Sequence, residues 1–417
     1  MTVNKQSASP KVTHLLSNWR WTERSEPVTD LVIAEQQEGA DSQLVCGKPS
    51  PKARRSTLWE CRKKGLEPVT LEMEKHLRIM SATRDVPKLV NVMREHQTDV
   101  INCHMPNAHM LGVLANCMTG GKHLLVRTSY NANGPDDKWR SRFLLKNATD
   151  GLVVISEHAR QQAVERFKFP ASRIAVIEPG IDLERFNTSM DREQARARFG
   201  FGPDDFVIGM ASRIQPRRRL DLLLNAAAEL RKQIPNLKLF LVGHGDANNV
   251  VHAPAERLGI SDLLVMPGYI EGDDLVAAYR AMDLLYFPVG GTDQSCRTLR
   301  EVLACGCPVI GGNVGFIPEL VKEGVNGLLV DLDVDQARDS ILALYRNPEL
   351  RQRMACQAGE DAEKRFRLRH QARQNLALYQ RLHAYKALPQ PRKRVSKRAL
   401  ALLGFYAYLA LSELELF

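Results

Sequence analysis

Long apolar runs are missing from this chain. The longest uncharged apolar stretch, residues 399–411, has 13 residues; as a helix it would reach about 20 Å, short of a bilayer core of roughly 30 Å. No segment is therefore expected to cross a membrane. Residues 1–10 hold no apolar core and 12–16 is too short to be one, so no secretory leader is expected. No repeat with a period of 20–50 residues is present. Aromatic residues make up only 6%, beside 44% hydrophobic and 25% charged residues, which excludes a disordered, coiled-coil or fibrous chain. Paired cysteine motifs are also lacking. Of eight cysteines, only Cys305-Gly306-Cys307 is closely spaced, with neither a second pair nor a nearby histidine cluster. That argues against a structural zinc and for reduced thiols in a cytoplasmic protein.

What is present is length and positive charge. At 417 residues the chain is expected to form two or three units. The net charge is +10, of which segment 52–64 carries +5 and 386–398 carries +6, so the rest sums to −1. A basic chain suggests an anionic partner. Here the excess sits in one loop and one tail with no reader motif, which disfavours nucleic acid. The tail, 387–417, sets the basic run Arg392-Lys393-Arg394 and Lys397-Arg398 beside the apolar stretch. It is expected either to lie on an anionic membrane surface or to dock on the protein itself.

Hydrophobic periodicity gives strands at 12–16, 43–46, 99–103, 123–127, 151–155 and 174–177, with helices over 28–38, 85–95, 109–118 and 158–167. Segment 52–65 reads as basic and irregular. Ser156 is placed to cap the helix that follows it. Pro179-Gly180 breaks the alternation, and 187–205 reads as a polar connection. The alternation then restarts with strands at 206–210, 238–242, 263–266, 284–287, 308–311 and 328–330, and ends in one long helical stretch over 350–382. Alternation of this kind means βαβ units and parallel sheets.

Open α/β sheets bind ligands at the carboxyl ends of their strands, where helix N-termini suit anions. Two places combine that position with charge. After the strand at 206–210 comes Ser212-Arg213-Ile214-Gln215-Pro216-Arg217-Arg218-Arg219, with planar guanidinium donors suited to phosphate. After the strand at 284–287 comes a glycine turn, then Asp293-Gln294-Ser295-Cys296-Arg297-Thr298, with Glu301 about two helical turns in. A carboxylate there can accept two ribose hydroxyls, and Asp293 alone also reads as a plain helix cap.

Asp293-x7-Glu301, then Ala304-Cys305-Gly306-Cys307-Pro308-Val309, with Arg213-x4-Arg218 about 80 residues earlier, resembles the signature of family 4 retaining glycosyltransferases of GT-B fold. Ile155-Ser156-Glu157, Pro179-Gly180-Ile181-Asp182, Val242-Gly243-His244-Gly245, Pro267-Gly268-Tyr269-Ile270 and Pro318-Glu319-Leu320 follow in that family's order, so the resemblance covers nearly the whole chain.

It implies α/β architecture with two facing, doubly wound, Rossmann-like domains. These would be an acceptor-side domain at 1–186 and a nucleotide-sugar domain at 187–364, then a helix at 365–386 crossing back to the first domain, and the tail. It implies no cofactor and no metal; a nucleotide-diphosphate sugar is the donor substrate. Arg213 and Arg218 would clamp the diphosphate, Asp293 would contact the donor sugar, and Glu301 would hold the ribose. Gly268 and Tyr269 would lie near the base, and Ser295, Cys296, Arg297 and Thr298 near the phosphates.

The departures from the family pattern are Asp293 for Glu, Arg218 for Lys, and Trp19-Arg20-Trp21 where a glycine-rich loop is usual. The family's first-domain histidine is also absent. Arg127 or Tyr130 takes its place, and His104 and His109 end the preceding strand. His104 is expected at the reaction centre, or else as a structural cap. Trp19, Trp21, His109, Arg127 and Tyr130 are acceptor-side candidates. The expected activity is transfer of a sugar to a cell-envelope lipid or polysaccharide acceptor, at the inner face of the plasma membrane. A soluble small-acceptor transferase, a GT-B epimerase and a catalytically degenerate binding subunit are the alternatives. The resemblance does not require a dedicated strong base.

Overall fold

The structure, a computed structural model, describes residues 9–22, 24–53, 55–73, 79–289 and 293–387; for 79–81, 293–296 and 387 only the backbone is described. The tail expected at 387–417 lies outside the residues described beyond that point. The chain divides into two compact units. One holds the residues up to Gly180 and the chain from Leu368 on, and the other holds Ile181–Arg367. The junction thus falls before residue 187.

In the first unit the strands are β1 (Lys11–Leu16), β2 (Asp41–Gly47), β3 (Val69–Leu71), β4 (Val100–Cys103), β5 (Leu124–Ser129), β6 (Gly151–Val154) and β7 (Ile174–Val176). Its helices are α1 (Ser25–Gln37), α2 (Thr57–Lys63), α3 (Ile79–Glu95), α4 (Pro106–Met118), α5 (Trp139–Ala148) and α6 (Glu157–Phe167). The strands pair in parallel in the order β3-β2-β1-β4-β5-β6-β7. Strands β4 and β5 are buried along their whole length, as expected of a parallel sheet covered on both faces.

The expected irregular segment at 52–65 contains α2. Ser56 accepts the Trp59 N–H at 3.2 Å and starts that helix. Two of its basic side chains are matched by acids outside the basic window. Lys64 pairs with Asp30 at 2.5 Å and Arg62 with Glu67, while Lys63 lies 3.4 Å over the Trp59 ring. Ser156 caps α6, accepting from Ala159 N–H at 3.0 Å.

The second unit contains α7 (Arg192–Ala197), β8 (Phe206–Ala211), α8 (Leu220–Leu230), β9 (Leu237–Val242), α9 (Ala253–Leu258), β10 (Leu264–Gly268), α10 (Gly272–Ala281), β11 (Leu284–Phe287), α11 (Asp293–Ala304), β12 (Val309–Gly312), α12 (Ile317–Leu320), β13 (Gly327–Val330), α13 (Val334–Arg346) and α14 (Pro348–Arg365). Its sheet is parallel in the order β10-β9-β8-β11-β12-β13. The polar connection expected at 187–205 holds α7, whose N–H at Gln194 is capped by Asp191 at 2.9 Å.

The single helical stretch expected over 350–382 is broken at Phe366. That side chain is buried, and its carbonyl accepts the Ile181 N–H at 2.9 Å within the second unit. The chain then enters α15 (Leu368–Ala387), which belongs to the first unit. There Gly180 N–H donates to Gln371 Oε1 at 2.9 Å. At Gly151 an added Cβ would lie 2.3 Å from a Leu382 methyl. Leu382 of α15 thus fills the space beside β6 that a larger residue would take, and Tyr379 and Leu382 of α15 complete the core on that face.

Candidate active site

Each sheet changes winding direction at one place, between β1 and β4 in the first unit and between β8 and β11 in the second. The carboxyl ends of the strands at such a switch point are where doubly wound sheets hold ligands.

In the second unit the loops leaving β8 and β9 run backbone against backbone. Ser212 N–H donates to Val242 O, and Ile214 N–H to His244 O, both at 3.0 Å. A Cβ at Gly243 or Gly245 would stand 2.0 or 2.1 Å from the carbonyl oxygens of Ser212 and Ile214. The Gly-His-Gly sequence is therefore a steric requirement for this approach, and it fixes the loop that carries Arg213. Arg213 is exposed, whereas Arg218, in the short turn Pro216–Arg218, is buried. Arg219 enters α8 in a left-handed conformation, φ 55°, and pairs with Asp221 at 3.0 Å.

Helix α11 runs from Asp293, so Asp293 lies within its first turn rather than ahead of it as a cap. The side chains of Asp293, Ser295 and Cys296 lie outside the described residues. Glu301 is buried, and its two carboxylate oxygens accept from Tyr279 Oη at 3.2 Å and Arg297 Nε at 2.6 Å. Burial and the neighbouring Glu301 push the Tyr279 hydroxyl well above the ordinary tyrosine range, so it remains a donor. The carboxylate expected to hold ribose is thus preoriented, and a ribose would share or displace these donors. Thr298 is half-buried one turn before it.

Gly268 ends β10 at φ 80° with open space around it, and its carbonyl accepts the Gly243 N–H at 2.9 Å. Tyr269 is 63% exposed, donates to Glu271 at 2.6 Å, and meets His244 edge to face at 5.5 Å. His244 was not among the sequence candidates, although the Gly-x-Gly around it was the available signal. No Asp-x-Asp metal motif is expected from the sequence, yet the stretch Asp331-Leu332-Asp333 has that form. The structure uses Asp333 to cap α13, accepting from Gln336 N–H at 2.9 Å.

In the first unit a cleft of about 620 Å³ opens among the loops after β1, β4 and β5. It brings together Trp19, His109 and Arg127 from the candidate set, and adds Arg20, Lys138 and Arg140 against one acid, Asp136. Arg20 stands between the two candidate tryptophans without having been a candidate, and Lys138 and Arg140 had no sequence signal, because each is ordinary until the fold gathers it.

Arg127 is buried, and its guanidinium donates to Cys103 O at 2.9 Å and to Thr128 O, bracing the ends of β4 and β5. Burial lowers its pKa to about 10, which leaves it charged at neutral pH. His109 is buried against Thr149 Oγ1 at 2.9 Å; burial, with some repulsion from Arg127, lowers its pKa to about 3. It is a neutral wall of the cleft.

Trp21, His104 and Tyr130 do not line the cleft. Trp21 lies under the Lys64 ammonium at 5.8 Å. His104 and Tyr130 are buried and stacked, ring centroids 5.8 Å apart. His104 stacks in turn on His14, which the sequence reading passed over.

Against this geometry the comparisons with known proteins are consistent. The glycosyl transferases group 1 model matches residues 191–361, and the Glycosyltransferase Family 4 model matches 28–185. Among solved structures the fold is like that of Anabaena Alr3699/HepE in complex with UDP, with a TM-score of 0.74 and 19% identity over 89% of this chain and all of that one. It is equally like a glycosyltransferase from Rickettsia africae, with a TM-score of 0.74 and 16% identity over 90% and 99%. The fold is therefore that of the GT-B glycosyltransferases.

Curated relatives include the D-inositol 3-phosphate glycosyltransferases of Streptomyces bingchenggensis, 34% identical over 52% of this chain and 50% of that protein, and of Mycolicibacterium smegmatis, 34% identical over 61% and 58%. The chain spans about half the length of the first of these relatives. It belongs to the family 4, group 1 glycosyltransferases.

Proposed function

We propose that the protein is a retaining glycosyltransferase. The donor, a nucleotide-diphosphate sugar, binds at the carboxyl edge of the second sheet, and the acceptor binds in the cleft of the first unit. In glycosyl transfer the barrier comes largely from charge growing on the departing diphosphate, and fixed donors aimed at that charge are usually the largest catalytic contribution. Arg213 and Arg218 are the donors we assign, with the first turn of α11 as a further anion site. Glu301 holds the ribose, and Tyr269 with His244 forms the wall for the base. No cofactor is assigned.

The sequence pointed to a lipid or polysaccharide acceptor. The cleft favours a small acceptor bearing a phosphate. The observation that carries this reading is its lining, where Arg20, Arg127, Lys138 and Arg140 face one carboxylate, Asp136. The names of the curated relatives, whose acceptor is an inositol 3-phosphate, support the same chemistry. Among the described residues no helix is long and apolar enough to cross a membrane, and the anchoring role of 387–417 stays a proposal on sequence grounds alone.

The test is a panel of UDP, GDP and ADP sugars offered with inositol 3-phosphate, free inositol and a lipid-linked sugar, product being read by mass spectrometry. We expect transfer to the phosphorylated polyol and little to inositol. Transfer to the neutral polyol or to the lipid-linked sugar alone would overturn the acceptor assignment. Nucleotide binding without transfer to any acceptor would favour the degenerate subunit.

A further inference from the structure

The loop between β5 and α5 carries two neighbouring acids with different fates. Asp137 is taken: its two oxygens accept from Arg142, from Nε at 2.6 Å and Nη2 at 2.9 Å. Asp136 is exposed and lines the cleft of the first unit. Its backbone is fixed by the Lys138 N–H, which donates to Asp136 O at 2.9 Å. Its carboxylate makes no hydrogen bond and no ion pair among the described residues, and neither does the Lys138 ammonium. Yet Arg20, Arg127, Lys138 and Arg140 line the same cleft. An acid kept only to balance those cations would bridge one of them.

Arg127 supplies the other half. It is 7% exposed and still lines the cleft. Its Nη1 is used on Cys103 O at 2.9 Å and on Thr128 O. Its Nε and Nη2 make no hydrogen bond among the described residues. Those two nitrogens form the side-on edge of the guanidinium, whose parallel N–H bonds fit two oxygens of a phosphate. Leaving that edge unmatched in a buried side chain is unfavourable, and a ligand that pairs with it recovers the loss. The Asp136 charge, with Cys103, opposes the burial that lowers the Arg127 pKa, so Asp136 and Arg127 are near one another without being paired. Helix α5 begins directly after Lys138 with no side chain capping its first turn, which adds partial positive charge to the same wall.

The cleft therefore sets an open carboxylate beside an anion seat. A carboxylate only accepts hydrogen bonds. It weakens the hold on a ligand that is anionic throughout, and suits one whose phosphate lies close to hydroxyl groups.

We propose that Asp136 is the specificity-determining residue of the acceptor site: Arg127 seats the phosphate on its side-on edge, and Asp136 accepts two neighbouring hydroxyls of a cyclic polyol. This rests on the phosphorylated-acceptor reading above and deepens it. The cations alone would take any small phosphate. Asp136 selects for hydroxyls and works against a second acid on the ligand.

Calorimetric titration of the full chain in phosphate-free buffer, alone and with saturating UDP, GDP or ADP, tests this. The probes are inositol 3-phosphate, methyl phosphate and 3-phosphoglycerate: a phosphate with ring hydroxyls, a phosphate alone, and a phosphate with a carboxylate. The wild type should bind the first about tenfold or more tighter than either of the others. In Asp136→Asn, inositol 3-phosphate should lose about fivefold or more in affinity, whereas methyl phosphate and 3-phosphoglycerate should each bind more tightly. Changes of opposite sign in one variant do not come from a damaged fold. Arg127→Lys keeps the charge without the side-on edge and should weaken all three probes. A wild type that binds the three alike, or an Asp136→Asn protein that keeps the wild-type ratios among them, overturns the specificity role and leaves the phosphate reading standing. An Arg127→Lys protein that binds as the wild type does removes the phosphate seat. A wild type that binds none of the three refutes the phosphorylated-acceptor reading itself.

Discussion

The two units share one plan and differ in what they place at the same edge. Both are parallel sheets with a single switch point. In the second unit the edge is built from short local stretches: a Gly-His-Gly loop pressed on the arginine loop, and a helix with its carboxylate two turns in. In the first unit the edge is built from residues far apart in sequence. Its cleft draws Ser17 and Trp19 after β1, Met105 after β4 and Arg140 after β5 to one place. In the proposed function the nucleotide diphosphate is at the second unit's edge and the acceptor at the first, with acceptor selectivity set by which cations the fold collects.

This contrast can be attacked first through pH. His109 has a pKa of about 3 when folded and an ordinary value near 6.5 when unfolded. Between those values the unfolded chain binds more protons, so first-unit stability falls as pH drops below about 6.5, by on the order of 4–5 kcal/mol once pH 3 is reached. His104 acts in the same direction. Thermal or urea unfolding from pH 8 to 4, followed separately in each unit, should show the first unit yielding first; parallel decline in both would break the contrast.

Next in size is Arg213→Ala, which should cost transition-state stabilisation of about 3–4 kcal/mol, read as kcat/KM. An unchanged value would remove the clamp. Leu382→Ala empties the space that Gly151 leaves for α15 and should destabilise the first unit by roughly 2–5 kcal/mol, with nucleotide affinity of the second unit retained. Smallest, Lys138→Ala or Arg140→Ala should each raise acceptor KM by a factor of about 5–10, near 1 kcal/mol for one charge at an exposed site, and leave donor KM alone.

These expectations also mark what could be read in advance. The alternation of strands and helices was legible because fully buried parallel strands are apolar runs between short helices, and residues could be assigned to a donor edge because they lie within single loops. Strand β3 and helix α5 were missed outright, and for three further elements that were missed or merged the physical reason is plain. Helix α2 hides in a basic segment, two of whose charges are matched by Asp30 and Glu67 outside it. Helix α7 sits in a polar connection. The end of α14 is set by Phe366 burying itself rather than by a glycine or proline. The acceptor side was legible only in part. Trp19, His109 and Arg127 do meet in the cleft, but Lys138 and Arg140 join them by topology alone. His104 was singled out for the cleft and instead lies behind it, on a partner, His14, that nothing local marks.

The account's central claim is that nucleotide and acceptor are held by different units. Calorimetric titration of UDP, GDP and ADP into the wild type, Arg218→Ala and a Lys138→Ala/Arg140→Ala double variant tests it most directly. The account predicts that the nucleotide bound by the wild type loses at least tenfold in affinity, about 1.4 kcal/mol, in Arg218→Ala and keeps its affinity in the double variant. An Arg218→Ala protein that binds as the wild type does, or a double variant that loses nucleotide, would contradict it.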